Sequence, residues 1–437
     1  MGMALAAFLL GYGVEISLGM YSLNALRLLT AALVVCIAAI AAPRLAWIEA
    51  LPPLVTNGAL ALGIVLQLVP IWIRHEAFPL VRWGSALVAA LGLLQVFDLK
   101  RLRLPIVAAA AIAFAFVVAL TFRTYARNPP IDVFMFQQMS AEALLHGVNP
   151  YGVRYPSLYP PGTPFYGPGV VAADNRLDYG FPYFPLSLLL VLPAYGLGGD
   201  SRFAHAIAIA VSAVLMTAAR PGRQSALTAT LFLLAPTVFF IVEQSWTEPL
   251  MAFTLSLTMF AALRWRRALP YALGLLFATK QYTVLMVPLV WLLVDEPRTW
   301  RRFAALVATA GGVALAITLP FFLWDPRAFY RAVVAFQFLQ PFRLDALSYL
   351  VWIHHQYPQL SIERWAPFVS VVPATALALW RCPRTPAGFA AAVAVVYLTF
   401  FAFNKQAFAN YYYFVIAAAC WSAAAQRPQS EQRTQST

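Results

Sequence analysis

Apolar residues run along this chain in long unbroken blocks rather than in alternation. Blocks of roughly 17–20 residues, the length at which a helix crosses a bilayer core, lie at about 3–21, 26–42, 54–73, 82–97 and 104–122. After a polar stretch they resume at about 203–219, 224–241, 248–264 and 303–323, and after a second one at about 367–380, 387–404 and 408–424. Two half-length runs, about 268–280 and 282–294, flank Lys280. The pattern predicts an all-α polytopic membrane protein of about 13–14 transmembrane helices, with two long outer loops carrying short amphipathic helices. A transmembrane β-barrel, which alternates apolar and polar positions, is excluded. The segment Tyr183-Phe-Pro-Leu-Ser-Leu-Leu-Leu-Val-Leu-Pro193 is apolar but short and bounded by prolines. It reads as a re-entrant or surface-lying helix, which is allowed where protein or a cavity covers the backbone.

Composition agrees. Of 437 residues 62% are hydrophobic and only 11% charged, against about 25% charged in soluble domains. The net charge of +13 raises the question of nucleic acid, but its distribution answers it. The basic loops are Lys100–Arg103, Arg220–Arg223, Arg264–Arg267, Arg298–Arg302, Arg381–Arg384 and the tail with Arg427 and Arg433. All fall on one side if the spans alternate, as the positive-inside rule requires. Both termini are then cytoplasmic, and the loops around Asp132, Glu243, Lys280, Asp345 and Lys405 face outward. Membrane lipids, not nucleic acid, are the expected surroundings. The three cysteines, Cys36, Cys382 and Cys420, imply no disulfide framework. The N-terminus lacks a basic region and cleavage site, so it reads as a retained first span.

The domain reading is an N-terminal block of about four spans over residues 1–103, a core over 104–424 with outer loops 123–202 and 325–366, and a disordered cytoplasmic tail over 425–437.

Candidate chemistry gathers on the outward side. Asp132 opens an amphipathic helix just beyond a span end and is followed by Leu144-Leu-His-Gly-Val-Asn-Pro-Tyr151. Two roles compete for it: a general base taking the proton of an acceptor hydroxyl, or an N-cap, since Pro-Pro-Ile-Asp is an ordinary helix start. Glu243 and Glu248 share a short loop. Glu248 precedes proline and suits a helix start, so Glu243 is the better site candidate.

Lys280 and Lys405 each precede glutamine, Gln281 and Gln406, at outer span ends. The lysines read either as phosphate ligands acting as point charges or as anchors snorkelling to the headgroups. Arg343 grips a phosphate or pairs with Asp345. His354 and His355 lack further ligands at metal spacing. Tyr151, Tyr183 and the tyrosine-proline run Tyr155 to Pro161 suit sugar stacking or an interfacial aromatic belt. No phosphate-cradling glycine loop, dinucleotide fingerprint or nucleophile elbow occurs, so nucleotide-sugar and ATP chemistry are unsupported.

The Asp132 helix with its Gly-Val-Asn-Pro-Tyr151 end, the Tyr183–Pro193 segment and the Ala278-Thr-Lys-Gln-Tyr282 half-runs resemble the GT-C superfamily of integral membrane glycosyltransferases. The resemblance spans roughly 104–424 and is greatest to the bacterial polyprenol-phosphate-mannose-dependent mannosyltransferases. It implies a bacterial inner-membrane enzyme with its site facing outward and Asp132 as catalytic base. It also implies a polyprenyl-phosphate sugar donor, a lipid or glycan acceptor, and inversion at the sugar carbon. Two departures stand out. Four spans precede the one leading to Asp132, where such enzymes often have one. No Asp-x-Asp or Glu-x-Asp pair surrounds Asp132, so a divalent metal is not supported and no cofactor is expected. The alternatives are a transporter or lipid flippase, and a non-catalytic assembly protein of the cell envelope. Transporters gather their polar groups at the midplane, whereas here they gather at the outer surface.

Overall fold

The computed structural model describes residues 1–41, 51–97, 99–125, 128–160 and 162–426. Arg127, Pro161 and the tail from Arg427, with Arg433, lie outside the described residues.

Apolar blocks become helices because a backbone in hydrocarbon must satisfy its own hydrogen bonds. Among the described residues six helices are long and apolar enough to cross a membrane: Leu23–Ala41, Pro53–Arg74, Pro79–Val96, Lys100–Tyr125, Arg202–Ala219 and Trp300–Trp324. Shorter apolar helices are Gly2–Glu15, Pro185–Gly198, Ala366–Arg381 and Pro386–Ala402, and Arg223–Leu233, Glu248–Arg264, Leu269–Phe277 and Ala409–Ala424 pack among them. No strand forms among the described residues, only isolated bridges. The chain is a multi-pass helical membrane protein.

The centre of the bundle is Ala409–Ala424, buried everywhere except at Tyr411. Its alanine-rich face lets neighbouring backbones approach closely, as small residues do between membrane helices. Trp421 anchors it, donating its indole N–H to Ser256 at 2.7 Å. The Trp300–Trp324 helix lies at the periphery, with little of its surface against protein.

Three predicted spans are interrupted. The first ends at Glu15, where Leu18 and Gly19 turn the chain with φ of 58° and 72°. The block at 224–241 splits into Arg223–Leu233 and Val238–Glu243, because Pro236 has no N–H to continue the helix. The half-run after Lys280 is two 3₁₀ segments, Gln281–Met286 and Pro288–Leu293. A 3₁₀ helix rises about 2 Å per residue, so this short run reaches further than an α-helix of equal length. The Tyr183–Pro193 segment forms the helix Pro185–Gly198. Its 14 residues span about 21 Å, short of the roughly 30 Å hydrocarbon core.

The basic loops meet at one end of the bundle. Arg298 donates to the Arg384 carbonyl at 3.3 Å, Arg266 pairs with Asp295, and Arg220 reaches the Ala425 carbonyl at 3.1 Å. The two long loops cover the opposite end. The first holds the helix Asp132–Leu145. The second holds Pro326–Tyr330, a π-helical turn Arg331–Ala335, Phe336–Leu339 and Tyr349–Gln356.

Candidate active site

Asp132 is the first residue of its helix, after an extended Ile131. The Pro129-Pro130 pair sets up that start, because residues before proline avoid helical angles. A carboxylate in the first turn also suits the helix dipole. Asp132 is not the cap residue of its helix; Ile131 holds that position. Its carboxylate accepts a hydrogen bond from the Tyr166 hydroxyl at 3.0 Å.

The helix is gripped on several sides. Arg202 lies between the rings of Phe122 and Phe134, 4.8 Å from each. Ser140 and Tyr155 share a hydrogen bond of 2.5 Å, and the Phe136 ring packs on Tyr155 and Tyr179. Gly180 passes so close to Tyr151 that an added Cβ would lie 2.1 Å from its carbonyl oxygen. This close approach seats the following tyrosine segment against the helix.

Burial pushes the Asp132 carboxyl above the ordinary carboxylate range. The Tyr166 hydroxyl, the Val133 backbone N–H, the Tyr159 hydroxyl and the Arg343 charge pull the other way. Burial, and after it the same carboxylate, pushes the Tyr159 and Tyr166 phenols up, so both stay protonated as donors. The result is one carboxylate in a cage of phenols, still partly accessible.

Arg343 stands beside this cage. Its guanidinium lies 4.4 Å from the Phe165 ring centre and 5.1 Å from that of Phe408. It is held by Asp345 in a two-pronged pair at 2.9 and 2.6 Å. It therefore enters the site as an oriented, charge-compensated group that still acts on Asp132.

Beside Tyr183 lies a second charged centre. Tyr183 is within electrostatic reach of both Asp132 and Glu248. Lys280 is 5% exposed and ion-pairs with Glu248. Its amino group lies 5.0, 5.2 and 5.3 Å from the ring centres of Tyr183, Tyr282 and Tyr411. Glu248 also accepts from the Tyr282 hydroxyl at 2.9 Å. Gln281 ties this centre to both long loops, donating to the carbonyls of Pro182 at 2.8 Å and Val333 at 3.0 Å.

The remaining candidates fall around this pair of centres. Lys405 donates to the carbonyls of Gln340 at 2.6 Å and Gln337 at 3.3 Å, and its own carbonyl receives the Arg343 N–H at 3.0 Å. Burial lowers its amine below the usual lysine range. Gln406 bonds to the Gln340 side chain at 2.9 Å and the Pro341 carbonyl at 3.0 Å. Tyr151 is buried, and its hydroxyl holds the Tyr183 carbonyl at 2.9 Å. Glu243 stands apart, within reach of the Arg202 and Arg74 charges. Glu248, ranked below it on sequence, is the carboxylate against Lys280. Tyr159 is legible in the sequence only as part of the Tyr155–Pro161 run, and Tyr166, the donor to Asp132, is not singled out by it. The two lysines share this end of the bundle, but each has its own partners. His354 and His355 pack on Phe342 and Tyr21. Among the described residues no three His, Cys, Asp or Glu side chains converge as a metal-ligand set.

No family model matches the chain, and no curated protein matches it. Among solved structures, the crystal structure of ArnT from Cupriavidus metallidurans bound to undecaprenyl phosphate is similar, at 19% identity and a TM-score of 0.46. The match covers 75% of this chain and 61% of that one. Likeness of that extent assigns neither an activity nor a ligand.

Proposed function

We propose that this protein is a membrane glycosyltransferase that moves a sugar from a polyprenyl-phosphate donor to a hydroxyl of a lipid or glycan acceptor. The observation that carries the reading is the Asp132 carboxylate: partly accessible, raised above its usual range, donated to by Tyr166, and within electrostatic reach of Tyr183, whose ring lies 5.0 Å from the buried Lys280 amino group.

The acceptor oxygen attacks the sugar carbon from the side opposite the phosphate, and its proton passes to Asp132. The bond from the sugar carbon to the phosphate oxygen breaks, leaving a polyprenyl phosphate, and the sugar carbon inverts. A base with a raised pKa suits this step, because proton transfer is best driven when base and working pH are matched. Lys280, Lys405 and Arg343 are the cations available to the leaving phosphate, and in a low-dielectric pocket such charges act most strongly as negative charge develops. Gln281 and Gln406 align the carbonyls around them, and Tyr183 offers its ring to the sugar. Sidedness follows from the arginine-rich end, which the positive-inside rule assigns to the cytoplasm. The site then faces outward across a bacterial inner membrane. Mannose, or another hexose or pentose, is the sugar expected from the sequence resemblance.

The test is incubation of purified protein with labelled polyprenyl-phosphate sugars and membrane lipids. Transfer is expected with at least one donor, and Asp132→Asn is expected to lose about 10²-fold or more in turnover while remaining folded. Near wild-type turnover in the Asn variant overturns the role of Asp132. A wild-type protein that consumes no such donor overturns the function.

A further inference from the structure

The Asp132 helix carries two adjacent glutamines, Gln137 and Gln138, whose side chains leave the helix toward other elements. Gln137 is 0% exposed. Its amide nitrogen donates to the backbone carbonyl of Ser245, which lies 108 positions away. Ser245 is an unusual target. Its φ is 57°, a left-handed conformation uncommon for a residue with a side chain. It stands in the turn that leads into Glu248, the partner of Lys280.

A carbonyl oxygen only accepts, so this contact fixes which end of the Gln137 amide points where. The amide oxygen then faces the His205 ring nitrogen Nε2 at 2.8 Å. His205 is also fully buried, and its Nδ1 has no hydrogen-bond partner among the described residues. Nε2 therefore carries the hydrogen, and the imidazole donates to Gln137. Neighbouring bonds close the network. The Ser245 hydroxyl meets that of Ser201 at 3.1 Å. The Ser201 N–H donates to the Gln138 amide oxygen at 2.8 Å, and the Gln138 amide donates to the Gly199 carbonyl at 3.0 Å.

We propose that Gln137, oriented by His205, is a positioning residue that sets the separation between Asp132 and the Lys280–Glu248 centre. The inference rests on the glycosyltransfer reading and deepens it. Asp132 and the phosphate-binding cations must act on opposite faces of one sugar carbon, and the geometry of such a step tolerates little slack. Asp132 lies on a short loop helix, whereas Lys280 is held by Glu248 at the start of a bundle helix. The Gln137–Ser245 bond joins the segments that carry these two carboxylates, five residues after one and three before the other. Cutting it leaves the buried Ser245 carbonyl without its donor and frees the Asp132 helix on that side.

The test compares Gln137→Leu, His205→Leu and His205→Gln. A glutamine at 205 places an N–H where Nε2 stood, so it restores the donor. In Gln137→Leu, kcat is expected to fall about 10-fold to 10²-fold, the scale of a 1 Å misplacement. The donor KM should stay within about twofold, because no group that binds the donor is removed. His205→Leu should move in the same direction, and His205→Gln should recover most of the loss. Backbone hydrogen exchange should quicken at residues 132–138 and 243–248 in the leucine variants, and stay unchanged in the central helix at 409–424.

Wild-type kcat and exchange in Gln137→Leu overturn the inference. So does quickened exchange throughout the protein, which marks a merely structural plug. Should Gln137→Leu fail to fold, the His205 pair decides: equal kcat in His205→Leu and His205→Gln overturns it. If the wild-type protein turns over no polyprenyl-phosphate sugar, the functional reading fails, and the exchange experiment alone decides the coupling.

Discussion

Breaking the Lys280–Glu248 pair is expected to cost far more than removing it. Lys280 is 5% exposed and Glu248 0%, so neither charge is released to bulk water when its partner is lost. Removing one member of a buried pair costs about 3–5 kcal/mol, or roughly 10²–10⁴ in the folding equilibrium. The surroundings rank the two single variants. In Lys280→Met, Glu248 still accepts from the Tyr282 hydroxyl at 2.9 Å, so the cost falls near the lower figure. In Glu248→Leu, Lys280 keeps only three ring faces at 5.0–5.3 Å and the cost falls near the upper one. The double variant has no unpaired charge. Its residual cost is the Tyr282 hydroxyl left without an acceptor, about 1–3 kcal/mol. Denaturant unfolding in mixed micelles, read for the wild type and all three variants, measures the coupling. The double variant should be much more stable than additivity of the singles predicts. Singles that each cost under about 1 kcal/mol, the range of an exposed pair, would refute the burial argument. Activity adds a second reading. If Lys280 also serves the donor phosphate, the double variant is folded and inactive; a folded and active double variant removes Lys280 from the reaction.

Turnover should fall as pH drops through the Asp132 pKa, because the carboxyl is raised and only its ionised form accepts a proton. Arg343→Gln and Tyr166→Phe each remove a group that favours the ionised form, so the acid limb of the pH–rate profile should move to higher pH; a limb that stays in place refutes the coupling. A cysteine introduced at Asn175 should react with a membrane-impermeant reagent in intact cells and one at Arg266 should not, and the opposite pattern reverses the topology. Gly180→Ala should destabilise by about 1–3 kcal/mol, since its Cβ would lie 2.1 Å from the Tyr151 carbonyl oxygen; an unchanged unfolding midpoint would show that the loop relaxes freely.

Much of the architecture is legible without coordinates. Spans are legible to within a few residues where apolar runs are long, as for 248–264 and 203–219, because the bilayer imposes a length and forbids unpaired backbone. The Asp132 helix start was readable from Pro-Pro-Ile-Asp, and the common end of the basic loops from their alternation along the chain. What escaped were interruptions and partners. Pro236 breaks one span, and the run after Lys280 winds as 3₁₀, because local tightening is decided by what the segment packs against.

The site divides along the same line. Sequence alone determined which residue types stand at the ends of the apolar blocks and in the loops between them: a carboxylate opening a loop helix, two isolated lysines, an arginine among aromatics, a tyrosine run. Only the tertiary structure decided which of them meet. It set Glu248 rather than Glu243 against Lys280, gave Arg343 to Asp345 and Asp132 to Tyr166, and joined Gln137 to Ser245 and His205. Hydropathy and periodicity report what a backbone does over a few turns. The partner of a buried polar group is instead chosen by the packing of helices far apart in the chain, and a group withdrawn from water must find its partner there or not be buried at all.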